Sequence, residues 1–206
     1  MTPLMRLICL LFTAALAFGC ATPGPKYIDL AYTGSPDSAE GPPASVGISR
    51  FADARSLGAK GGIGHRTLND SSKEIFLVRG LDLAVTLTDA TQTFLERKGF
   101  KVNQAAKWSP TLEGLSAAPA RTDYLLTARI NTFQCIASKK GAVTEMALEV
   151  DLDFFLGQPA GKTLTTIPVN LTLTRKDINF TQNKLESFFN DALAEALEKA
   201  LTFARQ

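Results

Sequence analysis

Few residues in this 206-residue chain are of a type that does chemistry: three cysteines, one histidine, a row of carboxylates and a cluster of glycines. Cys135 could act as a nucleophile only with a base to draw off its proton. His65 stands alone in that role, and Cys135 lies in the strand-like run Tyr124 to Ile136. An inert, buried thiol is the expected outcome, because free cysteine is among the most buried residue types. Glu149, Asp151 and Asp153 share one face of a strand about 7 Å apart at strand rise. Calcium asks for a loop that wraps oxygens around it, so a solvated sheet face is the better reading. Gly58, Gly61, Gly62 and Gly64 lead to His65, Arg66 and Thr67, but the run lacks the Gly-Lys-Ser/Thr ending of a phosphate loop and reads as a flexible loop. No cofactor motif is present, no metal set is complete, and no enzymatic activity is expected.

The amino terminus carries a clearer signal. Arg6 precedes the apolar run Leu7 to Phe18, which Thr13 interrupts and which ends at Gly19-Cys20. That is a charged start, a short apolar stretch and a small-residue cleavage site. The run is too short for the roughly 20 apolar residues of a membrane-spanning helix. Gly19-Cys20 resembles the lipobox of bacterial lipoprotein precursors, in which the thiol receives a diacylglycerol. Ala17 stands where a leucine is usual. Ala15-Leu16-Ala17 also fits ordinary cleavage, which would release a soluble periplasmic protein. Lipidation of Cys20 is the favoured reading, and Ala21 after it implies the outer membrane, facing the periplasm. The resulting organisation is a signal peptide over 1–19, the lipidated Cys20 with a Pro/Gly/Ser-rich tether over 20–44, and one domain over 45–206. Within the tether, Tyr27-Ile28-Asp29-Leu30 alternates and offers a second possibility, an edge strand docked on the domain.

The elements that would hold any site follow from periodicity. Val46, Ile48 and Arg50 alternate as in a strand, and a loop is expected from Ala52 to Lys73. Asp82 caps a helix with Leu83, Leu87, Ala90 and Phe94 on one stripe and Gly99 as its stop. Residues 103–122 read as irregular. Three strands follow, Tyr124 to Ile136, Val143 to Phe155 and one around Thr165 to Leu173, and then a helix from Asn183 with Glu186 as a capping pair. The fold class implied is α+β, a mostly antiparallel sheet with two helices packed on one face.

Gly19-Cys20-Ala21, Asp53-Ala54-Arg55, Asp82-Leu83 and Leu95-Glu96-Arg97-Lys98-Gly99-Phe100, in that order, resemble the YajG-type family of small bacterial lipoproteins. The resemblance implies an outer-membrane address and the fold class above. It supplies no catalytic residues, since that family has no established activity.

The net charge of +2 gives no reason to expect nucleic acid. Cations gather on the segment from Arg50 to Arg79, expected to be a mobile loop, and Asp53, Arg55, Lys60 and Arg66 are its candidate partner-binding residues. The function expected is a noncatalytic binding or adaptor module, tethered to the membrane through Cys20, with an envelope protein or cell-wall material as partner. The alternative is an auxiliary lipoprotein of a lipid or lipopolysaccharide transport system that binds an amphiphile.

Overall fold

The computed structural model describes residues 24–34, 44–56, 61–80, 82–118 and 122–201. Cys20, the 1–19 segment and Lys60 lie outside them. The spine is a meander of three long strands, β7 (Tyr124–Lys140), β8 (Val143–Gln158) and β9 (Thr163–Asp177), paired antiparallel along their lengths. Met146, Leu148, Val150, Leu152 and Phe154 on β8 are all buried on one face. On β7 the phase changes: Leu126, Ala128 and Ile130 are buried, then Phe133, Cys135 and Ala137. A β-bulge between Ile130 and Thr132 inserts one residue, Asn131, and keeps both halves facing the same core.

Along the other edge of β7, three short strands lie end to end and parallel to it. They are β2 (Ser45–Ile48), β3 (Ala52–Asp53) and β4 (Gly64–Thr67). At one end β6 (Lys101–Gln104) extends the sheet beside β2. At the other, β5 (Lys73–Val78) pairs antiparallel with β4, and β1 (Lys26–Ile28) lies parallel to β5 at the edge. The expectation of a mostly antiparallel sheet is therefore corrected: the sheet is mixed and curled, and strands hold 44% of the described residues against 25% for helix. The physical cause is the segment read as a loop, whose short stretches find their backbone partners on the open edge of β7. The Tyr27–Leu30 island docks as the edge strand.

Helix α1 (Leu83–Arg97) begins at Asp82, whose carboxylate accepts from Val85 N at 2.9 Å. Its threonines are poor helix formers, but Thr86, Thr88, Thr91 and Thr93 each donate to the carbonyl four residues back. Gly99 then leaves the helix at φ +87°, which only glycine adopts without strain. Helix α3 (Gln182–Ala200) is capped by Thr181, not by the expected Asn183. Both helices bury their stripes against the inner face of the sheet. A third, short helix, α2 (Leu112–Ala117), lies in the segment read as irregular. With Trp108 it covers Leu125 and Leu164 on the outer face, where Gly157 leaves room: a Cβ there would sit 2.6 Å from Leu115 Cδ1. Helices therefore cover parts of both faces, which corrects the expectation of two helices on one.

Candidate functional site

Cys135 is fully buried, and burial pushes its thiol from 9.0 to about 12. β4 brings Gly64, not His65, opposite Cys135, and His65 therefore projects from the other face of the sheet. No nucleophile and base pair results. Gly64 has φ +137°, and a Cβ there would lie 1.9 Å from the Cys135 carbonyl oxygen. The glycine serves close strand packing. Ile63 N, just before it, donates to Phe76 O at 2.8 Å, and Cys135 N, across from it on β7, donates to Ile63 O at 2.9 Å, so both amides are committed to the sheet.

On the outer face Asp153 accepts from Asn131 at 2.9 Å and from Arg129 at 2.7 Å, and these bonds hold its carboxyl below the usual range. Asn131 also reaches Asp151 at 3.3 Å. Among the described residues no group of three or more His, Cys, Asp or Glu side chains is placed to hold a metal ion.

The segment from Arg50 to Arg79, expected as a mobile basic loop, contributes three strands to the sheet, and two of its arginines, Arg55 and Arg66, work inside the fold while Arg50 and Arg79 stay exposed in surface ion pairs. Arg55 has only 7% of its surface exposed. Its Nε and Nη2 donate to the two Asp53 carboxylate oxygens at 3.0 and 2.9 Å, and Nη1 donates to Gly62 O at 2.9 Å. Arg66 pairs with the buried Glu74 at 3.0 Å and lies 3.9 Å above the Phe180 ring. Neither guanidinium is offered to solvent.

What the same region does build is a cleft of about 720 Å³, where the sheet divides between β3 and the β4–β5–β1 end, beside the start of α1. Phe51, Ile63, Val78 and Leu83 give it apolar walls, and the Asp53–Arg55 pair lies among them. Arg50, paired with Asp82, and Lys107 add two exposed cations. Lys107 has no ion-pair partner among the described residues. Sequence reading missed it, because it sits in an irregular segment with no periodicity; the adjacent Trp108, an aromatic that packs under α2, was the available signal.

No protein-family profile matches the chain, and no curated protein matches it. Solved structures do. One is an uncharacterized protein, 14% identical with a TM-score of 0.47, covering 89% of this chain and 97% of that one. A homolog of neuraminyllactose-binding hemagglutinin from Helicobacter pylori is 10% identical with a TM-score of 0.44, covering 85% and 90%. A lipoprotein from Neisseria meningitidis is 12% identical with a TM-score of 0.29, covering 74% and 99%. Scores of this size mark a distant likeness and assign neither function nor partner. Among the described residues no helix is long and apolar enough to cross a membrane, which leaves strands unaddressed.

Proposed function

We propose that this chain is a lipid-anchored protein of the bacterial envelope, held through Cys20 at the outer membrane, that binds a partner in the cleft beside α1 without catalysing a reaction on it. The observation that carries the reading is the pairing within the cleft. Asp53 is held by Arg55 and Asp82 by Arg50, so what remains for a ligand is apolar wall and the charge of Lys107, with the exposed Arg50–Asp82 pair beside it. Such a surface suits an acidic segment carrying an apolar side chain, on another envelope protein, and attraction across it would weaken with salt. The lipobox-like Gly19-Cys20-Ala21 and the YajG-type resemblance support the address.

Two measurements test this. A photo-crosslinking residue at position 107 of the full, acylated chain should capture a partner in cells. Lys107→Glu combined with Arg50→Gln should lower the capture in a crosslinker-bearing Ala84 variant at least tenfold at low salt. Equal capture at low and high salt would remove the cleft from consideration. Acyl labelling that persists in Cys20→Ala would remove the anchor. The size and apolar walls of the cleft favour one second reading, an amphiphile with an anionic head, and stoichiometric lipid in native mass spectra of the extracted protein would decide for it.

A further inference from the structure

The outer face of the sheet is apolar at two ends and polar between them. At one end Leu125 and Leu164 are covered by Trp108 and Leu115 of this chain. At the other, Ile75, His65, Ile136 and Ala147 stand in register across β5, β4, β7 and β8. Tyr27 and Leu77 extend the same face onto β1, and both also line the cleft, so the strip borders the cleft mouth. Gly62 confirms the shared side, since a Cβ there would meet Ile75 Cγ2 at 3.3 Å and Leu77 Cδ2 at 3.6 Å. Tyr27 is 45% exposed, Ile75 40% and Ile136 43%. No described residue covers this end.

We infer that this uncovered strip is a membrane-contact surface, laid against the lipid headgroup and acyl boundary by the anchor at Cys20. The inference rests on acylation of Cys20 and adds which face of the domain meets the bilayer. Three observations support it. Cys20 precedes Lys26 of β1 by six residues, a reach of at most about 20 Å for extended chain. β1 is fixed at the sheet edge, and Ile136 lies three strand spacings away, about 14 Å. A chain of that length cannot carry the anchor farther than about 20 Å from Lys26, at the edge strand that borders the strip. The opposite side near β1 is covered by α3, whose Glu186 and Asn190 bond the β1 segment. The exposed side of α3 carries Glu186, Asp191, Glu195 and Glu198 against Lys184 and Lys199, a poor match for an anionic lipid surface. The strip is rimmed by a nearly balanced set, Lys73, Lys140 and Lys176 against Glu145 and Glu149, in which Glu145 pairs with both Lys140 and Lys176. Partial burial, followed by the charge of Lys73, holds His65 below its ordinary value, which favours the neutral ring in the middle of the strip. An apolar strip with an aromatic at its edge and lysines around it is the composition of an interfacial surface.

The test uses the full acylated chain in vesicles of phosphatidylethanolamine and phosphatidylglycerol. Single-cysteine variants Ile75→Cys, Ile136→Cys and Asp191→Cys carry a fluorophore, and the bilayer carries a nitroxide lipid. The result expected is quenching at 75 and 136 at least twofold stronger than at 191 on α3. A variant-free reading comes from photoactivatable phospholipid, which should mark Lys73–Val78 and Tyr124–Lys140 in preference to α3. Equal lipid quenching at all three positions on vesicles that float with the protein overturns the membrane face while the anchor stands. So does shielding of 75 and 136 from both lipid and aqueous quenchers, which assigns the strip to a protein or a second copy. Failure of the unlabelled chain to carry lipid or to float overturns the anchor and this inference with it.

Discussion

Arg55 closes back on Asp53, two residues earlier, through its backbone N–H, Nε and Nη2 at 3.1, 3.0 and 2.9 Å. The guanidinium is 4% exposed and the carboxylate 21%. Arg55→Ala leaves that carboxylate and the Gly62 carbonyl without their donors. The expected loss is about 2 to 4 kcal/mol, toward the lower end for a broken buried pair because Asp53 keeps some contact with water. Urea denaturation measures it, and a loss under about 1 kcal/mol would show that water replaces the arginine.

Gly64 and Gly141 both adopt positive φ, yet they predict different costs. Gly64→Ala drives a Cβ into the Cys135 carbonyl and is expected to cost at least about 3 kcal/mol. Gly141 has φ +63° and open space around it, so Gly141→Ala meets only the left-handed penalty of about 1 kcal/mol. Comparable melting temperatures for the two variants would contradict the close approach of β4 to β7.

Leu193 is 1% exposed on the inner stripe of α3. Leu193→Ala should lower stability by about 2 to 5 kcal/mol, the span found for leucine truncations in packed cores. A melting temperature within a degree of the parent would contradict that packing.

Cys135 gives a pH signature. Because burial raises its thiol from 9.0 to about 12, the unfolded chain loses this proton before the folded one does. The stability it contributes is full below pH 9 and declines as pH rises from there toward 12. The urea midpoint of the parent should therefore fall more steeply between pH 8 and 10 than that of Cys135→Ala. Parallel slopes would contradict a buried thiol.

Glu145 accepts from Lys176 at 2.7 Å and Lys140 at 2.9 Å, which hold its carboxyl at about 2. A folded value below the ordinary 4.5 means that the small stabilisation from this exposed site is present above 4.5 and lost as pH falls toward 2. Lys176→Gln should move the carboxyl titration seen by NMR back up toward 4.5. An unchanged titration would contradict the pairing.

The parts of the fold legible in the sequence are those whose order is local. β8 alternates without interruption, and α1 and α3 carry stripes at helical spacing. β7 has no single alternation, because the bulge at Asn131 reverses its phase, and so its faces were not readable. The short strands β3 and β4 have two and four residues and are strands only because β7 leaves an edge open beside them. No window of sequence contains that edge. The same holds for the cleft: Arg55 was visible as a charge, but its burial depends on Asp53 and Gly62 being brought to one place. Lys107 reaches the cleft through β6 and the turn after it, a route that periodicity does not describe.

The tiling of β2, β3 and β4 along β7 also sets when the chain can finish folding. Ser45 and Asp123 exchange hydrogen bonds across 78 residues, and Tyr32 reaches Glu198 across 166. High contact order of this kind slows folding, because chain closure precedes any gain from the contacts it permits. A chain emerging amino-terminus first, as in export, has its early strands waiting for a spine that arrives later and its edge strand waiting for the last helix. Such a chain stays threadable for as long as its carboxy-terminal third is withheld.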